Sequence, residues 1–175
     1  MSGKLVPLIS ESAIAATVKR LAQELDRDYA ERSPILIGIL KGSFVFLADL
    51  MRQMQTPIHR IELIKMSSYG ASTVSSGEVK LLMGLPDHLI TDQHVILVED
   101  IVDTGSSTAM ALKILQSHHP ASIKLCALLD KPERRKVPVE IDYLGITVPD
   151  RFIVGYGLDA YEQYRQFPAI YALNE

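Results

Sequence analysis

A chain of 175 residues is long enough to bury roughly 70% of its unfolded surface and most simply forms one domain. Its composition is 47% hydrophobic and 22% charged, and a net charge of −3 gives none of the basic excess that nucleic acid or an anionic membrane would call for. A single cysteine, Cys126, rules out an intrachain disulfide framework, the five histidines at 59, 88, 94, 118 and 119 lack zinc-ligand spacing, and with no signal-peptide pattern and no apolar run near 18 residues the chain reads as cytosolic.

Residues 10–30 carry Ile14, Val18, Leu21 and Leu25 at helical spacing, with Ser10 or Ser12 as the N-cap. After Pro34, residues 35–40 (ILIGIL) form a short, wholly apolar run, the pattern of a strand buried on both faces. That strand gives way to Lys41, Gly42 and Ser43 and then to a helical segment over 44–51. Ligands of open α/β sheets sit outside the carboxyl ends of the strands, so Lys41 is placed to meet an anion while Gly42 lets the backbone approach.

A third strand over about 58–66 mixes apolar and charged residues, which suits a position near a sheet edge or a partner. Residues 67–77 then hold five serines, two glycines and no charge. So polar and flexible a run between two strand-like segments suits either a plain hairpin tip or a lid that closes over a site. A strand returns over 78–83.

Residues 95–98 (VILV) form another buried strand, and the pattern then breaks into acid at Glu99, Asp100 and Asp103. Thr104, Gly105, Ser106, Ser107 and Thr108 follow, and residues 109–115 read as helix. Backbone N–H groups, hydroxyls and the helix dipole there suit a phosphate monoester. Glu99 and Asp100 suit sugar hydroxyls or, directly or through water, a hard cation. Carboxylates beside a phosphate nest imply a sugar phosphate. The chain has no G-x-x-x-x-G-K-[ST] loop and no G-x-G-x-x-G opening a helix, which removes the two rival phosphate motifs. Pro120 marks the end of the following helix.

Residues 122–129 form a further buried strand, enclosing Cys126 as a small core residue and ending beside Lys131. The basic cluster from Lys131 to Lys136, with Arg134 and Arg135, reads as a solvated loop. Beyond it come Phe152, Ile153, Asp159, Tyr161, Tyr164 and Arg165.

The run from Val95 to Thr108, an apolar strand followed by Glu99-Asp100, two apolar residues and Asp103-Thr104-Gly105, resembles the phosphoribosyl-pyrophosphate-binding motif of the type I phosphoribosyltransferases. Ser68-Tyr69-Gly70 is similar to the lid motif of the 6-oxopurine branch. Residues 148–159 (VPDRFIVGYGLD) resemble the carboxyl-terminal motif of the hypoxanthine-guanine phosphoribosyltransferases. The likeness spans roughly residues 35–165 through five separated motifs.

What the resemblance implies is specific. The fold would be an α/β type I phosphoribosyltransferase fold, a central, mainly parallel sheet flanked by helices, with a small hood built from the chain ends; residues 1–175 would form one domain and 67–77 the lid. The reaction would convert hypoxanthine, or guanine, and phosphoribosyl pyrophosphate to the nucleoside monophosphate and pyrophosphate, with Mg²⁺. Lys41, Gly42 and Arg165 would contact pyrophosphate, with a cis peptide at Leu40–Lys41. Thr104, Gly105, Ser106 and Ser107 would hold the 5′-phosphate, and Glu99 and Asp100 the ribose hydroxyls. Asp103 would act as general base at purine N7. Lys131 would hydrogen-bond the exocyclic oxygen, Phe152 would stack on the purine, and the Ile153 backbone would contact its Watson–Crick edge. Asp159 would lie near the metal, with Glu99 and Asp100 its other carboxylates. Ser68 and Tyr69 would be the lid residues, and the assembly a dimer or tetramer. Ser106 departs from close family members that carry lysine there, which puts any subsite needing that cation in doubt. The alternatives are a xanthine-preferring enzyme of the same class and a non-catalytic nucleotide-sensing regulator on the same fold.

Overall fold

The structure is a computed structural model that describes residues 4–68, 79–83 and 86–174. Its elements in chain order are β1 (Lys4–Ile9), α1 (Glu11–Asp28), β2 (Ile35–Leu40), α2 (Phe44–Gln53), β3 (Arg60–Ser68), β4 (Val79–Met83), β5 (His94–Val102), α3 (Ser106–Gln116), β6 (Ser122–Asp130), β7 (Tyr143–Thr147), β8 (Ile153–Val154) and β9 (Ile170–Asn174). The large sheet has strand order β4-β3-β2-β5-β6-β7. Only the β3–β4 pairing is antiparallel, at one edge; the other four pairings are parallel.

The short apolar runs make this sheet because each side chain finds cover. Ile35, Ile37, Val95, Leu97, Leu125 and Ala127 point into one core cluster with Ala111 and Leu115 of α3. Leu36, Ile96, Val98, Cys126 and Leu128 alternate with them and pack against Leu21, Leu25, Phe46 and Leu50 of α1 and α2. Cys126 is fully buried, and burial pushes its thiol pKa up, which leaves it an inert packing group. Ser10 caps α1, its hydroxyl accepting from Ala13 N at 3.2 Å. None of the helices among the described residues is long and apolar enough to cross a membrane.

The chain ends meet in a second, antiparallel sheet of order β1-β9-β8. It forms the small hood, and Ile9, Ile153, Tyr156 and Ile170 tie it to the core on the α1 and α2 side.

One expectation changes, and another lies mostly outside the described residues. The central strand does not stop before its acidic residues: β5 runs on to Val102, because β6 keeps pairing with it as far as Val102↔Asp130. Glu99 and Asp100 are therefore strand residues, not loop residues. Of the expected lid, only residues 67 and 68, at the end of β3, are described; Tyr69 and the remainder lie outside the described residues.

Candidate active site

Three segments meet above the carboxyl ends of β2 and β5. These strands are parallel neighbours whose pairing runs from Ile35↔Val95 to Gly38↔Val98, so both carboxyl ends point the same way. The chain leaves β2 through a cis peptide at Leu40–Lys41, the bond expected from the resemblance. Gly42 then passes so close to β5 that a Cβ built on it would lie 1.8 Å from Asp100 Oδ2. Only glycine allows that approach while leaving the carboxylate where it is.

From the third segment, residues 157–165, come Asp159, Glu162 and Arg165. Arg165 donates to the Gly157 carbonyl at 2.7 Å and pairs with Asp159 Oδ1 at 2.8 Å. Lys41 Nζ lies 2.8 Å from Glu162 Oε2, and Arg165 Nη2 is 3.3 Å from the same oxygen. The two cations assigned to pyrophosphate by resemblance thus share one carboxylate. Glu162 went unnoticed in the sequence, because its partner Lys41 lies 121 residues away.

Glu99 and Asp100 are 7% and 9% exposed. Burial pushes the Glu99 pKa well up, and the neighbouring Asp100 charge adds to it. Asp100 is pushed up to about 6, chiefly by burial, against backbone N–H donors and the Arg165 charge that pull it down. Glu99 Oε2 is buried with no hydrogen-bond partner. Such an orphaned acceptor is costly unless a ligand supplies a hydroxyl, a water or a cation. Among the described residues no three His, Cys, Asp or Glu side chains are grouped closely enough to cage a metal. This donor set suits a hydrated Mg²⁺ shared with a ligand's own oxygens, the usual habit of that ion.

The phosphate loop is the other half. Gly105, at φ +84°, is the residue before α3 and adopts the left-handed conformation that favours glycine. A Cβ there would also lie 2.4 Å from the Val137 carbonyl. Gly105 has no side chain with which to cap α3, and the Thr104 hydroxyl accepts from the first-turn Ser106 N at a long 3.4 Å. Thr104 and Ser106 hydroxyls lie 3.4 Å apart at its mouth, and Ser107 is half-buried in the first turn.

This loop is held by residues 131–137. Lys136 N and Val137 N both donate to the Thr104 carbonyl, at 2.9 and 3.0 Å. Arg135 donates to the carbonyls of Asp103 and Val102, each at 3.1 Å, and pairs with Asp130. Reading the whole basic cluster as solvated was therefore wrong for Arg135: three acceptors from two strand ends satisfy its half-buried guanidinium. Arg134 Nε sits 3.3 Å from Asp103 Oδ1, an ion pair without the alignment of a hydrogen bond. Lys131, 4% exposed, donates to the Arg151 carbonyl at 2.8 Å and so points toward Phe152 and Ile153. Phe152 is 54% exposed, which frees its ring face, while Ile153 is buried in β8.

The raised carboxylate pKa values carry a stability consequence of definite sign. Glu99 and Asp100 hold protons more tightly folded than unfolded, so their contribution is fully present below their unfolded pKa values; Asp100's share is lost as pH rises through about 6, and Glu99's as pH rises through its own raised pKa. For Asp100 the linked loss is about 3 kcal/mol. Thermal melting from pH 4.5 to 8.5 with a chelator should show a Glu99→Gln/Asp100→Asn variant gaining on the wild-type chain as pH rises and melting above it beyond pH 7. Parallel melting curves would contradict the buried-carboxylate account.

The comparisons with known proteins agree with this geometry. The model of the phosphoribosyl transferase domain matches residues 9–161. A hypoxanthine phosphoribosyltransferase of Buchnera aphidicola is 42% identical over 165 residues, covering 93% of this chain and 92% of that protein. A hypoxanthine-guanine phosphoribosyltransferase of Bacillus subtilis is 42% identical over 167 residues, covering 95% and 92%. The crystal structure of a hypoxanthine-guanine phosphoribosyltransferase from Bacillus anthracis superposes with a TM-score of 0.89 at 44% identity, covering 98% of this chain and 99% of that one. The chain belongs to the phosphoribosyl transferase family, in its hypoxanthine and hypoxanthine-guanine branch.

Proposed function

We propose that this protein salvages purines by transferring the 5-phosphoribosyl group from phosphoribosyl pyrophosphate to hypoxanthine, and also to guanine, releasing pyrophosphate. The observation that carries this reading is the convergence of a buried carboxylate pair, a helix-terminal phosphate loop and a shared cation pair at the carboxyl end of one parallel sheet.

Each residue has a role suited to its place. The α3 amides with Thr104, Gly105, Ser106 and Ser107 bind the 5′-phosphate, remote binding energy that positions the anomeric carbon. Ser106 donates a hydroxyl there in place of a cation. Glu99 and Asp100 accept from the ribose hydroxyls. Lys41 and Arg165, with the Gly42 backbone, hold the pyrophosphate as negative charge grows on it. Lys131 and Phe152 hold and orient the 6-oxopurine, with the Ile153 backbone at its edge. A purine nitrogen attacks the anomeric carbon, the bond to pyrophosphate breaks, and Asp103 takes the proton from N7. Arg134, 3.3 Å from Asp103 Oδ1, would help to hold that carboxylate in place. Mg²⁺ would be held by Asp159, Glu99 and Asp100, directly or through water, and would neutralise charge on the leaving pyrophosphate. Ser68 and Tyr69, in the run 67–77, are proposed as the lid that excludes water. The setting we propose is the cytoplasm, and the assembly a dimer or tetramer. Phe44, Ile61 and Leu63 are exposed apolar residues in keeping with self-association.

The test is a steady-state assay with Mg²⁺ and phosphoribosyl pyrophosphate against hypoxanthine, guanine, xanthine and adenine, with the products identified by chromatography. Inosine monophosphate should be the best product; turnover confined to xanthine or adenine would overturn the purine assignment, and no turnover would favour the nucleotide-sensing alternative. In the same assay Asp103→Asn should lower kcat by about 10²–10⁴-fold with little change in phosphoribosyl pyrophosphate binding. An equal loss of both would remove its role as base. Lys131→Ala should chiefly raise KM for the base, and an unchanged KM would remove that assignment.

A further inference from the structure

The cation pair has a carboxylate partner that the reaction does not use. Glu162 Oε2 lies 2.8 Å from Lys41 Nζ and 3.3 Å from Arg165 Nη2. Its backbone N–H donates to Asp159 Oδ2 at 2.8 Å, while Asp159 Oδ1 receives Arg165 at 2.8 Å. Two cations thus face two carboxylates with no net charge between them. Tyr161 and Glu162 have φ of +53° and +63°, a left-handed backbone that is uncommon for side chains of their kind. A strained turn of this sort persists only where its surroundings enforce it, and here it directs the Glu162 side chain across to Lys41.

We propose that Glu162 is an internal competitor for pyrophosphate: its carboxylate engages the same Lys41 and Arg165 donors that grip the leaving group, and so weakens the hold on pyrophosphate and speeds its release. The inference rests on the assignment of Lys41 and Arg165 to pyrophosphate. It adds that their strength is set by a third residue.

The physical balance favours exchange. The Lys41 and Glu162 side chains are 50% and 64% exposed. An ion pair so open to solvent is weak and easily exchanged for a multiply charged anion. Glu162 meets both cations through one carboxylate oxygen, the same donors a phosphate oxygen would take. When pyrophosphate binds, Lys41 turns from one carboxylate oxygen to phosphate oxygens. Glu162 then stands as a like charge beside the product, which favours departure. Asp159 is the less exchangeable partner, since it also caps the turn through Glu162 N.

Glu162→Gln tests this, because glutamine keeps the length and the backbone hydrogen bond but removes the charge. Titration calorimetry of inorganic pyrophosphate with Mg²⁺ should show the variant binding about three- to tenfold tighter than the wild-type chain. Inosine monophosphate, which has no pyrophosphate, should bind both equally. A purely structural role for Glu162 would weaken binding and could not produce this gain. Equal or weaker pyrophosphate affinity in Glu162→Gln, with Lys41→Ala still weakening it, would overturn the competitor role alone. Pyrophosphate affinity that is indifferent to both Lys41→Ala and Arg165→Ala would instead overturn the pyrophosphate assignment beneath it.

Discussion

The close passage of Gly42 over the Asp100 carboxylate is the constraint on which the rest of the site depends. Neighbouring parallel strands bring β2 and β5 side by side, but they fix only the positions of the strand ends. The turn after β2 must then cross the end of β5 at a distance that admits a hydrogen and excludes a methyl group. That crossing sets Lys41 at the front of the turn, opposite Glu162 and Arg165, and keeps Asp100 buried beside Glu99. One contact thereby joins the carboxylate half of the site to the cation half.

A second clamp works from the other side of β5. The peptide groups of Lys136 and Val137 both donate to the Thr104 carbonyl, and Arg135 holds the carbonyls of Val102 and Asp103. The loop between β5 and α3 is therefore fixed largely by its backbone, and the Thr104 hydroxyl adds only long contacts of 3.4 Å to Ser106 N and Ser106 Oγ. Lys131 belongs to the same clamping segment, so the residue assigned to the purine and the loop assigned to the phosphate are parts of one hydrogen-bonded unit. The hood sheet completes the arrangement by presenting Phe152 at the start of β8, where its carbonyl accepts from Leu173 N at 2.8 Å.

The sequence made much of this legible, for physical reasons that also explain what it hid. The runs 35–40 and 95–98 announced themselves because strands covered on both faces can afford almost no polar side chain. The small polar turns after them marked the sheet's carboxyl end. The extension of β5 through Glu99 and Asp100 was hidden, because it follows from pairing with β6 and not from the composition of β5 itself. Arg135 looked like any loop cation, since its burial depends on acceptors at Val102, Asp103 and Asp130 that only the fold assembles. Glu162 was hidden for the same reason, being one acidic residue between Tyr161 and Tyr164 until Lys41 is folded against it. Resemblance supplied the cis peptide at Leu40–Lys41, which no propensity would have suggested.

The most direct test of the central constraint is the affinity of Gly42→Ala for phosphoribosyl pyrophosphate with Mg²⁺, measured by titration calorimetry beside a melting curve. The added methyl group must displace the Asp100 carboxylate or lift the turn that carries Lys41. The predicted result is a folded protein whose affinity falls by about tenfold or more, since the displaced groups are the ones that meet the ligand. A folded variant that binds phosphoribosyl pyrophosphate as tightly as the wild-type chain would contradict the account.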